Sequence, residues 1–277
     1  MEEQTPHIKW FEMLCEELEC NPGPVTEQLQ SFRQSAEALD TSVAIFVSAT
    51  TSFSAKFQAL LIMSYCIVNR WSRLSMESKD SLRSTIWAEI INKYAILPNF
   101  IRRKALQAFI LTWKCSWCTE PRDIRGQLFS MLKGLLDEAT AVSIRDAAPT
   151  HIGGGLLDLH TSDLRRRGQA GLELLSLVSE LLLVTVEDFS TCSSAEIGAP
   201  VTFHNQAHYA FEEFGLGLTF ELALQILQQV LQVASGSGEH RGTVKVVVAL
   251  TRAANLLNEL LQWSHGEPDL ALHESLK

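Results

Sequence analysis

Six cysteines and eight histidines are the residues of this chain best suited to redox, nucleophilic or metal chemistry. Their spacing decides which of these chemistries is open. Cys115-Ser116-Trp117-Cys118 is a CxxC pair, able in principle to share a zinc ion or to cycle a disulfide. A zinc site needs a second ligand pair at suitable spacing, and the sequence offers none. A redox site needs a βαβ setting, and no strand pattern surrounds the pair. The two cysteines therefore read as small residues finishing a helix. His204 and His208 stand four apart, which places both imidazoles on one helix face. Asn205 follows His204, so the HExxH pattern fails, although Glu212 and Glu213 could supply a third ligand. Phe203, Tyr209 and Phe211 frame the two histidines and make the segment read as a packed helix. Gly153-Gly154-Gly155 is not followed by Lys-Ser or Lys-Thr, so it is no phosphate loop. Neither GxGxxG nor GxSxG occurs. The expectation is a protein that is not an enzyme, with no catalytic residue, no cofactor and no metal site.

Charge narrows the partners. The net charge is −9 and the pI about 5.4. Nucleic acid normally demands a basic face, so no nucleic-acid partner is expected. The one dense basic cluster, Arg165-Arg166-Arg167, precedes a long apolar run and reads as the polar start of a helix. An acidic surface suits protein partners, basic ones above all. The N-terminal Met1-Glu2-Glu3-Gln4 is polar and unlike a signal peptide, so the cysteines Cys15, Cys20, Cys66, Cys115, Cys118 and Cys192 are expected reduced. The most apolar run, Leu172 to Val186, is too short to span a bilayer and carries Glu173 and Glu180. It reads as a buried helix, and no membrane insertion is expected.

Helices must position whatever function exists. Hydrophobic residues make up 46% of the 277 residues, against 15 glycines and 8 prolines. That balance favours helix over sandwich or barrel. A short helix is expected over Lys9–Leu18, stopped by Cys20-Asn21-Pro22-Gly23-Pro24. Further helices are expected over Glu27–Leu39 and Ser42–Ala49. Phe53, Phe57, Leu60, Leu61, Ser64, Val68 and Trp71 then form one stripe, and Leu82, Ile86, Trp87, Ile90, Ile91 and Tyr94 the next. Ser75 can cap the second of these, with Glu77 in its first turn. Pro98 and Pro121 each open a helix, the latter running to about Ala141. Then come a loop over 149–162, a long helix from Asp163 to Asp188 and a second loop over 189–201. A short segment follows over Phe203–Phe211, and a helix over Gly217–Ala234. Ser235-Gly236-Ser237-Gly238 is a flexible break. Val244-Lys245-Val246-Val247-Val248 could alone be a strand, but Thr243–Trp263 as a whole carries a helical stripe.

Helix pairs beginning near Glu27, Phe53, Pro98, Asp163 and Thr243 describe an all-α, HEAT-repeat-like α-solenoid of antiparallel pairs in a right-handed superhelix. A closed helical bundle is the alternative. The expected division is an acidic segment over 1–24, helical repeats over 25–265 and a disordered tail over 266–277. Trp71, Trp87, Trp113 and Trp117 read as core. Leu256, Leu257, Leu260 and Leu261 on the last helix are expected to form an exposed apolar patch.

The segments Glu27-Gln28-Leu29-Gln30-Ser31-Phe32-Arg33-Gln34-Ser35, Val68-Asn69-Arg70-Trp71-Ser72-Arg73-Leu74, Ser81-Leu82-Arg83 and Leu97-Pro98-Asn99-Phe100-Ile101-Arg102-Arg103-Lys104 resemble the first repeats of nuclear transport receptors of the importin-β superfamily. That resemblance implies a receptor that binds Ran-GTP, protein cargo and nuclear pore proteins and shuttles between nucleus and cytoplasm. In that family the inner helices of the first repeats meet Ran. Here those are roughly Ser42–Ala49, Glu77–Tyr94 and Arg122–Ala141. No short Ran-contact motif carries over residue by residue. Full exportins of the family are several times longer than this chain, so a fragment, a truncated product or a short divergent relative is expected.

Overall fold

Each apolar stripe expected from the sequence becomes a helix in the computed structural model, which describes residues 6–18, 20–120, 123–145, 170–190, 198–236 and 243–265. The described helices are α1 (Pro6–Leu18), α2 (Pro22–Phe32), α3 (Ala38–Val47), α4 (Phe53–Arg70), α5 (Met76–Lys93), α6 (Asn99–Thr119), α7 (Asp123–Arg145), α8 (Ala170–Ser190), α9 (Val201–Gly236) and α10 (Thr243–His265). No strand occurs among the described residues, and the fold is an all-α, HEAT-like solenoid. The Val244–Val248 run is helical, as the longer stripe requires.

Several boundaries differ from expectation, with α3 starting at Ala38 rather than Ser42 and α9 reaching Gly236 among them, and three differences have a physical reason in the packing. Pro22-Gly23-Pro24 ends α1 and also opens α2, where proline in the first turn sacrifices only an N–H that has no helical partner. The expected single helix over Glu27–Leu39 breaks after Phe32. There the freed carbonyls find donors on α4. Arg70 Nη2 donates to Arg33 O at 2.9 Å and Arg70 Nη1 to Ala36 O at 3.3 Å. The Arg33 guanidinium lies 4.4 Å from the Tyr65 ring centre. Tertiary donors thus override local helix propensity.

The third difference is α9, one continuous helix of 36 residues where a break near Gly215 and Gly217 was expected. Gly215 is a notch. A Cβ there would lie 2.5 Å from the Phe211 ring and 2.8 Å from the Trp117 ring. The glycine lets Trp117 of α6 approach the helix backbone.

Helix packing changes along the chain. α4 packs against α3 on one side and α6 on the other, and α5 lies against α6 and α3. Towards the C-terminus the stack closes around α8, which touches α6, α7, α9 and α10. Leu174, Leu175, Leu177, Val178, Leu181, Leu182, Val184 and Val186 are all at most 1% exposed. The apolar run is a buried helix, as read. α10 folds back on both α8 and α9, so Leu256 and Leu260 are buried, against expectation. Of the expected terminal patch only Leu261 is well exposed, at 52%, and Leu257 is half-buried. The four tryptophans Trp71, Trp87, Trp113 and Trp117 are core residues, as expected.

A charged network locks α10 to the earlier helices. Glu180 of α8 accepts from Tyr94 Oη at 2.8 Å and from Arg102 Nε at 3.1 Å. Arg252 of α10 donates to the same Tyr94 oxygen at 2.7 Å and lies 3.5 Å from Glu180. One carboxylate therefore joins α6, α8, α10 and the turn after α5. By length and composition one described stretch, Val201–Gln232 of α9, could cross a membrane. In the fold one stripe of it, including His204, Phe211, Thr219 and Ile226, is buried in protein.

The expected glycine loop over 149–162, Arg165-Arg166-Arg167, Asp163 to Gln169, Cys192 and the tail over 266–277 lie outside the described residues.

Candidate functional site

An open groove of about 630 Å³ runs between α3 and α5. Leu39, Val43, Ala44, Leu74 and Leu82 form its apolar part. Asp40, Glu77, Ser78, Ser81 and Thr85 line its polar rim. Leu39 and Leu82 are buried, whereas Asp40, Glu77, Ser78 and Ser81 are exposed. The lining holds two carboxylates and no cation. Such a surface suits a protein partner that brings a basic group to the rim and an apolar side chain to the floor.

Both walls are held rigidly from behind. The last carbonyls of α3 point at cations from neighbouring helices. Lys56 Nζ of α4 donates to Ser48 O at 2.5 Å, to Ile45 O at 3.4 Å and to Phe46 O. Lys93 Nζ of α5 donates to Val47 O at 3.3 Å. Two ammonium groups thus complement the negative end of the α3 dipole. Burial pushes the Lys56 amine down to about 8, with the nearby Lys93 charge adding to the fall and Glu89 opposing it.

α5 begins with Ser75, whose Oγ accepts from the Ser78 N–H at 3.1 Å, the cap expected from the sequence. Its inner face carries Lys79 and Arg83, both nearly buried. Lys79 Nζ meets Glu120 Oε1 at 2.8 Å, and Arg83 Nη2 lies 3.8 Å from Glu120 Oε2. The Arg83 guanidinium lies 4.4 Å from the Trp113 ring centre and 5.1 Å from that of Trp71. Trp71 Nε1 donates to Ser116 Oγ at 3.1 Å and to Glu120 Oε1 at 3.2 Å. Burial alone would raise the Glu120 carboxyl, but hydrogen bonds from Lys79 and Ser116 and the two cations hold it below its usual range. Burial lowers Arg83, with Glu120 and Asp80 opposing. The Trp71-Ser72-Arg73 turn thus works as a joint that fixes α5, one wall of the groove, on α6.

The structure brings together two of the three inner helices named from the sequence. α3 and α5 form the groove, while α7 packs on α6, α8 and α9 and contributes nothing to its lining. Sequence reasoning missed Leu39 and Asp40, because the expected helix began only at Ser42. It also missed Lys56 and Lys93, since their partners are backbone carbonyls that no side-chain pattern reveals.

The residues first considered for chemistry form a separate interior cluster. Lys114 Nζ, fully buried, lies 3.2 Å from Asp188 Oδ2 and 3.1 Å from His204 Nδ1. His208 Nδ1 lies 3.1 Å from Phe189 O, and its ring stacks on Trp263 at 4.7 Å and 7°. Burial first, then the Lys114 charge, pushes His204 below the usual histidine range. Burial raises the Cys118 thiol to about 11 and the Cys115 thiol further still. Both are protonated at neutral pH, the opposite of what a zinc thiolate or redox pair needs. Among the described residues no three His, Cys, Asp or Glu side chains are grouped to hold a metal ion.

Residues 25–92, comprising most of α2 and all of α3, α4 and most of α5, match the family model of the importin-beta N-terminal domain. This part of the chain is similar to an importin-β receptor's start. The match covers about a quarter of the chain and contains every residue that lines the groove. No curated protein and no solved structure matches the chain significantly. The importin-β-like segment holds both walls of the groove, and its Arg70-Trp71 step lies at the joint behind α5.

Proposed function

We propose that this chain is the N-terminal, Ran-binding part of a nuclear transport receptor resembling exportin 4, and that the α3–α5 groove meets Ran in its GTP form. The observation that carries the reading is that the groove between α3 and α5 falls wholly within the importin-β-like segment over 25–92. In an exportin, Ran-GTP and protein cargo bind together in the nucleus, and hydrolysis in the cytoplasm releases both. Energetically, each ligand stabilises the solenoid shape that the other prefers, typically by about 1–3 kcal/mol. The acidic rim at Asp40 and Glu77 would receive basic side chains, and Val43 and Leu74 would receive an apolar contact. The chain would accordingly shuttle between nucleus and cytoplasm and touch nuclear pore proteins on the way.

A second reading follows from the modest extent of the match. The segment over 25–92 leaves α6 to α10 without a recognised relative. The chain would then be a helical-repeat scaffold whose groove takes another protein, without transport activity. The two readings separate in one experiment. Purified chain is mixed with immobilised Ran carrying a non-hydrolysable GTP analogue or GDP. The transport reading predicts capture by the GTP form only. Equal capture, or none, favours the scaffold.

A further inference from the structure

α9 carries a second apolar stripe that the described residues cover only in part. At 100° per residue, Tyr209, Leu216, Phe220, Leu224 and Leu227 fall within an arc of about 80° and extend over about 27 Å. The buried stripe of the same helix, including His204, Phe211, Gly215, Thr219 and Ile226, points the other way. Tyr209 is 56% exposed, and Phe220 and Leu224 are 40% exposed. Leu216 and Leu227 are half-buried against the core, and the exposed part of the stripe is Tyr209 with Phe220 and Leu224. Isolated exposed apolar residues need no explanation, but large ones aligned on one helix face do.

Three features indicate what fits it. The stripe is long, straight and about one side chain wide, the shape that a single helix covers through its own three- and four-residue spacing. The whole of α9 contains no lysine or arginine, while Glu213 lies within the stripe and Glu212 and Glu221 flank it on either side, all exposed. A basic helix complements this face. An anionic bilayer or nucleic acid does not. Gly217 borders the stripe, and a Cβ there would meet nothing within 4 Å. Unlike Gly215, it faces open space among the described residues, yet glycine weakens a helix interior. A small residue at that point lets a partner backbone come close.

We infer that the outer face of α9 docks an amphipathic helix of another protein, one with an apolar stripe bordered by lysine or arginine. This surface lies outside the importin-β-like segment and does not depend on Ran binding. The probe is a synthetic three-heptad helix with leucine at its a and d positions and lysine at the flanks. Controls carry glutamate at the flanks, or the same composition scrambled. Fluorescence anisotropy with the full chain should show at least about tenfold tighter binding of the lysine-flanked helix than of either control, weakening as salt rises. The Phe220→Ser/Leu224→Ser chain should lose that binding with its thermal transition unchanged. Gly217→Ala should raise the transition and weaken the binding, two effects that a purely internal role would not separate. Asp40→Lys/Glu77→Lys should leave the peptide bound, which keeps this test apart from that of the α3–α5 groove. Equal binding of both charged helices would overturn the inference. So would retention by the α9 variant, or a stripe-dependent self-association in sedimentation, or a stripe-dependent adsorption to lipid vesicles.

Discussion

The first half of the stack and the second treat their helices differently. Over α2 to α5 the inner helices α3 and α5 leave a groove between them, rimmed by exposed polar residues such as Asp40, Glu77 and Ser81. Over α6 to α10 the helices gather around α8 and bury it on every side described. Both halves bury charge, but to different ends. In the first half Lys56, Lys93, Lys79 and Arg83 cap or brace the groove walls from behind. In the second half Lys114, Asp188, Glu180, Arg102 and Arg252 tie helices into a closed core. The groove lies where the helices spread apart, on walls that cations brace from behind.

The sharpest way to break this contrast is to remove an anchor and compare it with a rim residue. Glu120→Leu leaves Lys79 and Arg83 nearly buried without their shared carboxylate, and should cost about 3–5 kcal/mol in urea unfolding. Asp40→Lys or Glu77→Lys, on the exposed rim, should stay within about 0.5 kcal/mol. Comparable losses would mean that the rim is structural.

The two α9 glycines refine the comparison within one helix. Gly215→Ala forces a methyl against Trp117 and Phe211 and should cost about 1–3 kcal/mol. Gly217→Ala should stabilise by about 0.5–1 kcal/mol, since the site is open and alanine favours helix.

Two pH effects are smaller. Lys56 titrates at about 8 in the fold against 10.5 when free. Between those values the unfolded chain holds a proton that the folded chain has released. The Lys56 contribution to stability should therefore rise with pH across that window, and Lys56→Met should remove the rise. His204 is also a base pushed down. As pH falls through the ordinary histidine value of about 6.5, the unfolded chain protonates first and stability should decline. His204→Gln should flatten that part of the curve.

Much of this architecture was legible in the sequence. The stripes beginning at Phe53, Pro98 and Thr243 are helices because their apolar residues recur at three and four, and Ser75 caps because its side chain can reach the first turn. What escaped depends on distant partners. The break after Phe32 is decided by Arg70, thirty-eight residues later. The need for a glycine at 215 inside α9 is set in part by Trp117 on another helix. The burial of Leu256 and Leu260 follows from α10 turning back on α8, which no local pattern encodes. The groove was half visible: the resemblance named its helices, whereas Asp40 and Leu39 entered it only because α3 begins earlier than its stripe suggested.

The most direct test is the affinity of the chain for Ran loaded with a non-hydrolysable GTP analogue, measured alongside Ran-GDP and alongside the Asp40→Lys/Glu77→Lys chain. The account predicts binding to the GTP form, little to the GDP form, and a loss of at least about tenfold in the double variant, worth about 1.4 kcal/mol. Binding that ignores the nucleotide, or that survives reversal of both rim charges, would contradict the assignment of the α3–α5 groove as the Ran-facing surface.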